Sequence, residues 1–307
     1  MSRLTIKAPS DYVFKRDVCS YGYFLLMPNV WSPTAETLTR PLHLEGGGAT
    51  FVISQKAGKG SDLIAKADRA LSRAESAEAK RRIRRMLSLD DDGVRAFHTI
   101  DPRWKRSGRG RLFRSPTLFE DIIKTVTSCN VAWTSTIRMN ERFCEVINPA
   151  FPTDRQLARR KPGTIRARCG VGYRDARMVE LAKMSVRGEI DEAWYEDPNT
   201  SDEDIHEALL LLPGIGPYAA ANVMQLLGRY SHVPCDTETV RHAKSVLGMS
   251  GTDRQIEKKI RAHYEPFGEH KFRSYWFELW DFYEEKRGKS WTWDPKTTGK
   301  SFTASKL

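Results

Sequence analysis

Cysteine is scarce in this sequence and scattered. Cys19, Cys129, Cys144, Cys169 and Cys235 are the five among 307 residues, an odd number with no CxxC pair. That pattern excludes a disulfide framework and points to a reducing, intracellular compartment. Seven dispersed histidines add no zinc-binding spacing, so neither a metal nor another cofactor is expected. No apolar run approaches the roughly 20 residues of a transmembrane helix. The apolar stretch from Tyr23 to Met27 is also too short and too late for a signal peptide, so no membrane is expected among the partners. No segment repeats. The final Ser305-Lys306-Leu307 matches a peroxisomal address that is meaningless in a prokaryote, and a chance match is the preferred reading.

What is present is base, in excess. Lys and Arg number 50 against 39 acidic residues, a net charge of +11, which favours a polyanion: nucleic acid or an anionic membrane surface. Hydrophobic residues at 40% and aromatic residues at 10% supply a substantial core and exclude wholesale disorder. The chain reads as a mixed, mainly α protein. Residues 1–114 form an N-terminal α+β domain with a small antiparallel sheet and a basic loop, 115–286 an all-helical domain, and 287–307 a polar tail. In the first part, Tyr21-Gly22-Tyr23-Phe24-Leu25-Leu26 and Ala49-Thr50-Phe51-Val52-Ile53 have strand composition between Pro and Gly clusters. Residues 61–89 have helical composition; Arg81, Arg82, Arg84 and Arg85 make either a nucleic-acid stripe or a solvated face. Residues 103–114 form a loop rich in Arg, Lys and Gly. From Pro116 onward the apolar spacing is helical, with further helices expected near 137–147, 175–187, 202–212, 217–227, 237–247, 254–263 and 272–285.

The most informative stretch is Leu212-Pro213-Gly214-Ile215-Gly216-Pro217-Tyr218. A helix stops at Pro213, the glycines permit a tight turn, and Pro217 opens the next helix. Backbone N–H groups at such a turn suit a phosphate and read no sequence. Taken alone, the stretch is equally an ordinary turn between helices. Asp236 follows Tyr218 by 18 residues at another helix start, where a lone Asp is normally an N-cap.

Together the two segments resemble the hairpin, Gly/Pro-rich loop and aspartate signature of the helix-hairpin-helix (HhH-GPD) DNA glycosylase superfamily, in its AlkA-like and 8-oxoguanine glycosylase-like branch. The resemblance extends through Thr127-Ser128-Cys129-Asn130, through Gly170-Val171-Gly172-Tyr173-Arg174-Asp175-Ala176-Arg177, and through Phe272-Arg273-Ser274-Tyr275. It implies a base-excision-repair enzyme that binds double-stranded DNA as a monomer, flips a damaged base and hydrolyses its N-glycosidic bond. Asp236 is then the catalytic carboxylate, and Tyr218, Asn222 and Phe272 belong to the base pocket. Pro213, Gly214, Ile215 and Gly216 anchor the backbone, while Tyr173 and Arg174 wedge the duplex. Asn130 either fills the gap left by the base or caps its helix. Arg159, Arg160, Lys161, Arg166 and Arg168 face phosphate or solvent.

Two departures from the family pattern narrow the chemistry. Bifunctional members carry Lys where Tyr218 stands, and a phenol forms no imine, so water attack without lyase activity is expected. No cysteine follows Cys235, which excludes the iron–sulfur cluster of the endonuclease III-like members. An alkylated purine is the favoured substrate. The alternatives are a mismatched thymine or uracil, an 8-oxoguanine-type lesion, or a non-catalytic DNA-binding module.

Overall fold

The structure, a computed structural model, describes residues 1–298, so Ser305-Lys306-Leu307 and the end of the expected polar tail lie outside the described residues. Five strands form one antiparallel sheet: β1 (Arg3–Ile6), β2 (Val30–Ser32), β3 (Thr37–Leu44), β4 (Gly47–Gln55) and β5 (Leu63–Ala67), in the order β1-β5-β4-β3-β2. The alternation in β3 buries Leu38, Arg40, Leu42 and Leu44 on one face, and β4 buries Ala49, Phe51 and Ile53 beside them. The remaining regular elements among the described residues are helices.

Two expectations fail, each for a local reason. The helix expected over 61–89 begins only at Arg73, because Leu63–Ala67 is β5. Its start is fixed by a capping box: Ser72 Oγ accepts from the Glu75 amide at 3.1 Å, and the Glu75 carboxylate accepts from the Ser72 amide at 2.9 Å. The aromatic segment expected as a strand over 21–26 is instead a 3₁₀ turn, Gly22–Leu25. Consecutive Tyr23, Phe24 and Leu25 are all buried, which a strand with one solvated face cannot achieve. The later helices fall where the periodicity puts them, including Trp133–Val146, Asp175–Val186, Asp202–Leu210, Pro217–Leu226, Thr237–Ser245, Asp253–Tyr264 and Lys271–Arg287.

The apolar side chains condense into two cores. One lies wholly within 118–227, between the helices from Leu118 to Leu227. The other joins the sheet and the 3₁₀ turn to the later helices, with Tyr264, Phe272, Trp280 and Trp293 packed alongside Trp31, Phe24 and Phe51. Helix Lys271–Arg287 is therefore held by the N-terminal part of the chain: the Trp276 indole donates to Ser20 O at 2.8 Å and the Trp280 indole to Cys19 O at 3.1 Å.

Helix Leu118–Ser128 lies at the junction and is buried from Leu118 through Thr127. Its charges are met from both sides. Arg40 on β3, 1% exposed, grips the Glu120 carboxylate through both terminal nitrogens at 3.0 and 2.6 Å, and Lys124 Nζ lies 2.7 Å from the same carboxylate. Arg85, on the helix Arg73–Met86, pairs with Asp121 at 2.7 Å. Of the arginines expected as a basic surface, several are thus internal: Arg85, Arg109 and Arg111 are buried, the last two against Glu284 and Asp11.

The two flanking cations pull Glu120 down from 4.5 to about 2 despite burial. A lowered folded-state pKa gives stability that is complete above the unfolded carboxylate range and lost as pH falls from there towards 2. Glu120→Gln leaves two buried cations unmatched and is expected to cost about 3–5 kcal/mol, read from the denaturant midpoint at neutral pH. The gap from the wild-type protein narrows as both are acidified below pH 4.

Candidate active site

The hairpin forms as its residues require. Helix Asp202–Leu210 ends, Gly214 takes a φ of +84°, and Pro217 is the first residue of helix Pro217–Leu226. A side chain at Gly214 would be strained by that φ, and its Cβ would lie 2.8 Å from Arg177 Cδ, so the turn and Arg177 need a glycine there. Ile215 is buried and ties the turn to the helical core, while Gly214 and Gly216 are exposed. Their amides donate to no acceptor among the described residues. That leaves two N–H donors at the surface beside a helix N-terminus.

One face of helix Pro217–Leu226 turns inward. Tyr218 and Asn222 are one turn apart, and Asn222 Nδ2 donates to Tyr218 O at 2.9 Å. Asn222 Oδ1 accepts from the Tyr21 hydroxyl at 3.2 Å, which carries the 3₁₀ turn onto this helix. Opposite, Asp236 is the N-cap of Thr237–Ser245. Its Oδ1 accepts from the Thr239 amide at 2.8 Å and the Thr239 hydroxyl at 2.9 Å, and Tyr275 OH lies 2.9 Å from that same hydroxyl. These bonds occupy Oδ1. Burial raises the Asp236 pKa above its ordinary value, outweighing the Thr239 donors, and the neighbouring Glu238 charge adds to the rise. Burial and the Asp236 charge hold the Tyr218 hydroxyl protonated far above its usual range.

These groups border a cavity of about 520 Å³. Tyr21, Trp133, Tyr218 and Trp276 supply aromatic walls, and Asp236 and Glu238 supply charge; among the described residues no Lys, Arg or His lines it. Its size and composition, mostly apolar with a few convergent polar groups, are those of a small-molecule or base pocket.

The structure brings Asp236, Tyr218 and Asn222 together in this cavity. Phe272 is not there. It is fully buried in the core beneath, stacked on Trp276 at 5.9 Å, and the wall expected of it is made by Tyr275 and Trp276. Asn130 follows the end of helix Leu118–Ser128 at a φ of +52°, exposed, with no side-chain hydrogen bond among the described residues; the capping reading is not what the geometry displays. Tyr173 is 54% exposed, between Arg174 at 4.5 Å and Arg177 at 5.5 Å.

Arg174 corrects a second expectation. It is buried, and its guanidinium donates to the backbone carbonyls of Val126 at 3.1 Å, Val171 at 3.4 Å and Cys129. It locks the Asn130 turn to the Tyr173 turn and has little left for DNA. Arg159, Lys161, Arg166 and Arg168 are exposed, with Arg166 paired to Asp175 at 2.9 Å. The cavity residues missed in the sequence are Tyr21, Trp133, Trp276 and Glu238. Glu238, Trp276 and Trp133 each lie within three residues of a motif, whereas Tyr21 joins the cavity solely through tertiary packing.

No protein-family model matches the chain, and no curated protein does. Solved structures do. A 3-methyladenine DNA glycosylase from Archaeoglobus fulgidus is 19% identical with a TM-score of 0.68, over 92% of this chain and 99% of that one. The apo 8-oxoguanine glycosylase/lyase of Clostridium acetobutylicum is 17% identical with a TM-score of 0.65, over 91% and 96%. Both are named as glycosylases, and their fold is the fold of this chain: a small N-terminal antiparallel sheet with a helical body.

Removing the Arg174 guanidinium orphans three buried carbonyl contacts, so Arg174→Ala is expected to destabilise the protein by about 3 kcal/mol. Exposed Tyr173→Ala should stay within about 0.5 kcal/mol of wild type. Chemical denaturation of the pair checks this, and equal stabilities would return Arg174 to the DNA surface.

Proposed function

We propose that this chain is a DNA glycosylase of the helix-hairpin-helix superfamily, acting on double-stranded DNA as a monomer without lyase activity. The observation that carries the proposal is Asp236: a desolvated carboxylate fixed through one oxygen, in a base-sized aromatic cavity on the same helical body as an exposed hairpin of free amides. The name of each structural neighbour describes a glycosylase, which supports the same reading.

In this reading the hairpin amides hold a backbone phosphate while Tyr173 and Asn130 enter the stack beside the target nucleotide. The extruded base stacks among Tyr21, Tyr218 and Trp276. The bond from the sugar C1′ to the base nitrogen breaks, and its electron pair leaves with the base. Positive charge develops on the sugar, and the Asp236 carboxylate, held in low dielectric, stabilises it. Water adds to C1′ and passes a proton to the same carboxylate. Thr239 and Tyr275 keep that carboxylate from turning away.

The absence of lyase chemistry is proposed on two grounds. Tyr218 offers a phenol where an amine is needed, and no lysine among the described residues lines the cavity. Lys124 is fully buried and held at Glu120. An alkylated purine is the proposed substrate, because aromatic walls with two carboxylates and no lining cation suit an electron-poor ring.

Asp236→Asn tests the assignment cleanly, since asparagine caps a helix as well as aspartate does and the fold should survive. Excision of 3-methyladenine or 7-methylguanine from a duplex should fall about 100-fold or more with DNA binding nearly intact. Wild-type turnover in the variant would leave Asp236 as a cap alone. The ionised form is the active one, so the single-turnover rate should decline with acid along a limb lying above the usual aspartate range.

Product DNA should carry an intact abasic site that is nicked only by alkali. Borohydride should trap no covalent adduct, and a trapped adduct would establish an amine nucleophile.

A further inference from the structure

Glu238 lies two residues beyond Asp236, in the first turn of helix Thr237–Ser245, and borders the same cavity. The catalytic reading makes no use of it. One of its oxygens is fully engaged: Oε1 accepts from Arg241 Nε at 3.0 Å, from Arg241 Nη2 and from the Tyr283 hydroxyl. Arg241 does not border the cavity; its guanidinium rests over the Phe282 ring at 4.9 Å. The carboxylate is thus oriented by donors on one oxygen. Oε2 accepts no hydrogen bond from the described residues, and the side chain keeps 21% exposure.

A carboxylate held partly out of water needs a donor or a positive charge at each oxygen. None of the described residues donates to Oε2, although hydroxyls, Asn222 and the Trp133 indole border the cavity, and this oxygen keeps its contact with solvent. An occupant of the cavity that displaces this solvent has to bring donors or charge of its own.

We propose that Glu238 determines which base the cavity holds, its unengaged oxygen accepting an N–H of the base or facing its positive charge. The cavity then selects cationic, N-alkylated purines over neutral purines of similar size. This inference rests on the glycosylase reading of Asp236. A guanine alkylated at N7 carries a positive charge while attached to the sugar, and that charge polarises its N1–H and amino donors. Hypoxanthine has the same ring system with one N1–H, no amino group, no methyl and no charge. The aromatic walls also favour a cation, but they do not change when Glu238 is replaced.

Glu238→Gln preserves shape and keeps an oxygen for Arg241 and Tyr283. Excision is measured on duplexes identical except for 7-methylguanine or hypoxanthine at one position. Each variant's ratio of kcat/KM for the two bases is compared with the wild-type ratio, so the greater intrinsic lability of the cationic base cancels. The ratio should fall about tenfold or more in Glu238→Gln, the scale of a lost hydrogen bond to a charged group. Glu238→Asp keeps the charge and should hold the ratio within about threefold of wild type. Equal loss on both bases in Glu238→Gln would overturn the proposal and leave Glu238 acting through Asp236 or the fold. So would a wild-type protein that excises hypoxanthine and not 7-methylguanine, while the glycosylase reading stands. A wild-type protein that excises neither base, nor any other lesion, removes the glycosylase reading and this inference together.

Discussion

The structure depends on matching the charges of a helix that has almost no contact with water. Helix Leu118–Ser128 carries Glu120, Asp121 and Lys124 into the interior, where an unpaired charge would cost several kcal/mol. Arg40 reaches it from the sheet and Arg85 from the helix that follows the sheet. At the other end, Arg174 closes onto the carbonyls of Val126 and Cys129. The helix therefore serves as a fixed reference between two apolar cores. Asn130, at its exposed end, inherits that position.

The cavity is a seam between elements that are distant in the chain. Tyr21 comes from the 3₁₀ turn, Tyr218 from the helix behind the hairpin, Asp236 and Glu238 from a helix start, and Trp276 from the long late helix. The Tyr21–Asn222 hydrogen bond and the Trp276–Ser20 bond draw these pieces together. Within the cavity, the proposed chemistry and the proposed recognition fall to two carboxylates with different partners. Asp236 is held by uncharged donors and has its pKa raised by burial; Glu238 is held through one oxygen by an arginine and a tyrosine. Adjacent residues in one helical turn thus have distinct electrostatic surroundings.

Much of this was legible in the sequence wherever the determinant is local. Helix starts such as Thr117, Ser201 and Asp236 lie next to the residues they cap, and the Pro213–Pro217 turn carries its own stop and start signals. Where the determinant is distant, the pattern misled. Leu63–Ala67 has residues common to helices and strands alike, and only pairing with β1 and β4 decides between them. The aromatic run at 21–26 suits a strand by composition, yet its neighbours on both sides are apolar and it coils into a turn. Phe272 and Arg174 were assigned outward roles from motif position, but burial reversed both. Motif spacing locates a residue along the chain and leaves open which way its side chain points.

The apolar core that holds the sheet also holds the late helix, and the cavity needs both. A nascent chain emerging from the ribosome would therefore present the sheet long before the residues that cover it exist. The helices between Leu118 and Leu227 share a core that takes only Met27 from outside that span and no residue from the later helices, so it can close on the sheet before they are made. The 3₁₀ turn with Tyr21 must wait for Trp276 and Trp280 to arrive. The hairpin, built from contiguous residues, is complete well before the pocket. Assembly is then ordered so that the exposed hairpin precedes the cavity, and synthesis itself delays the cavity until the fold has closed.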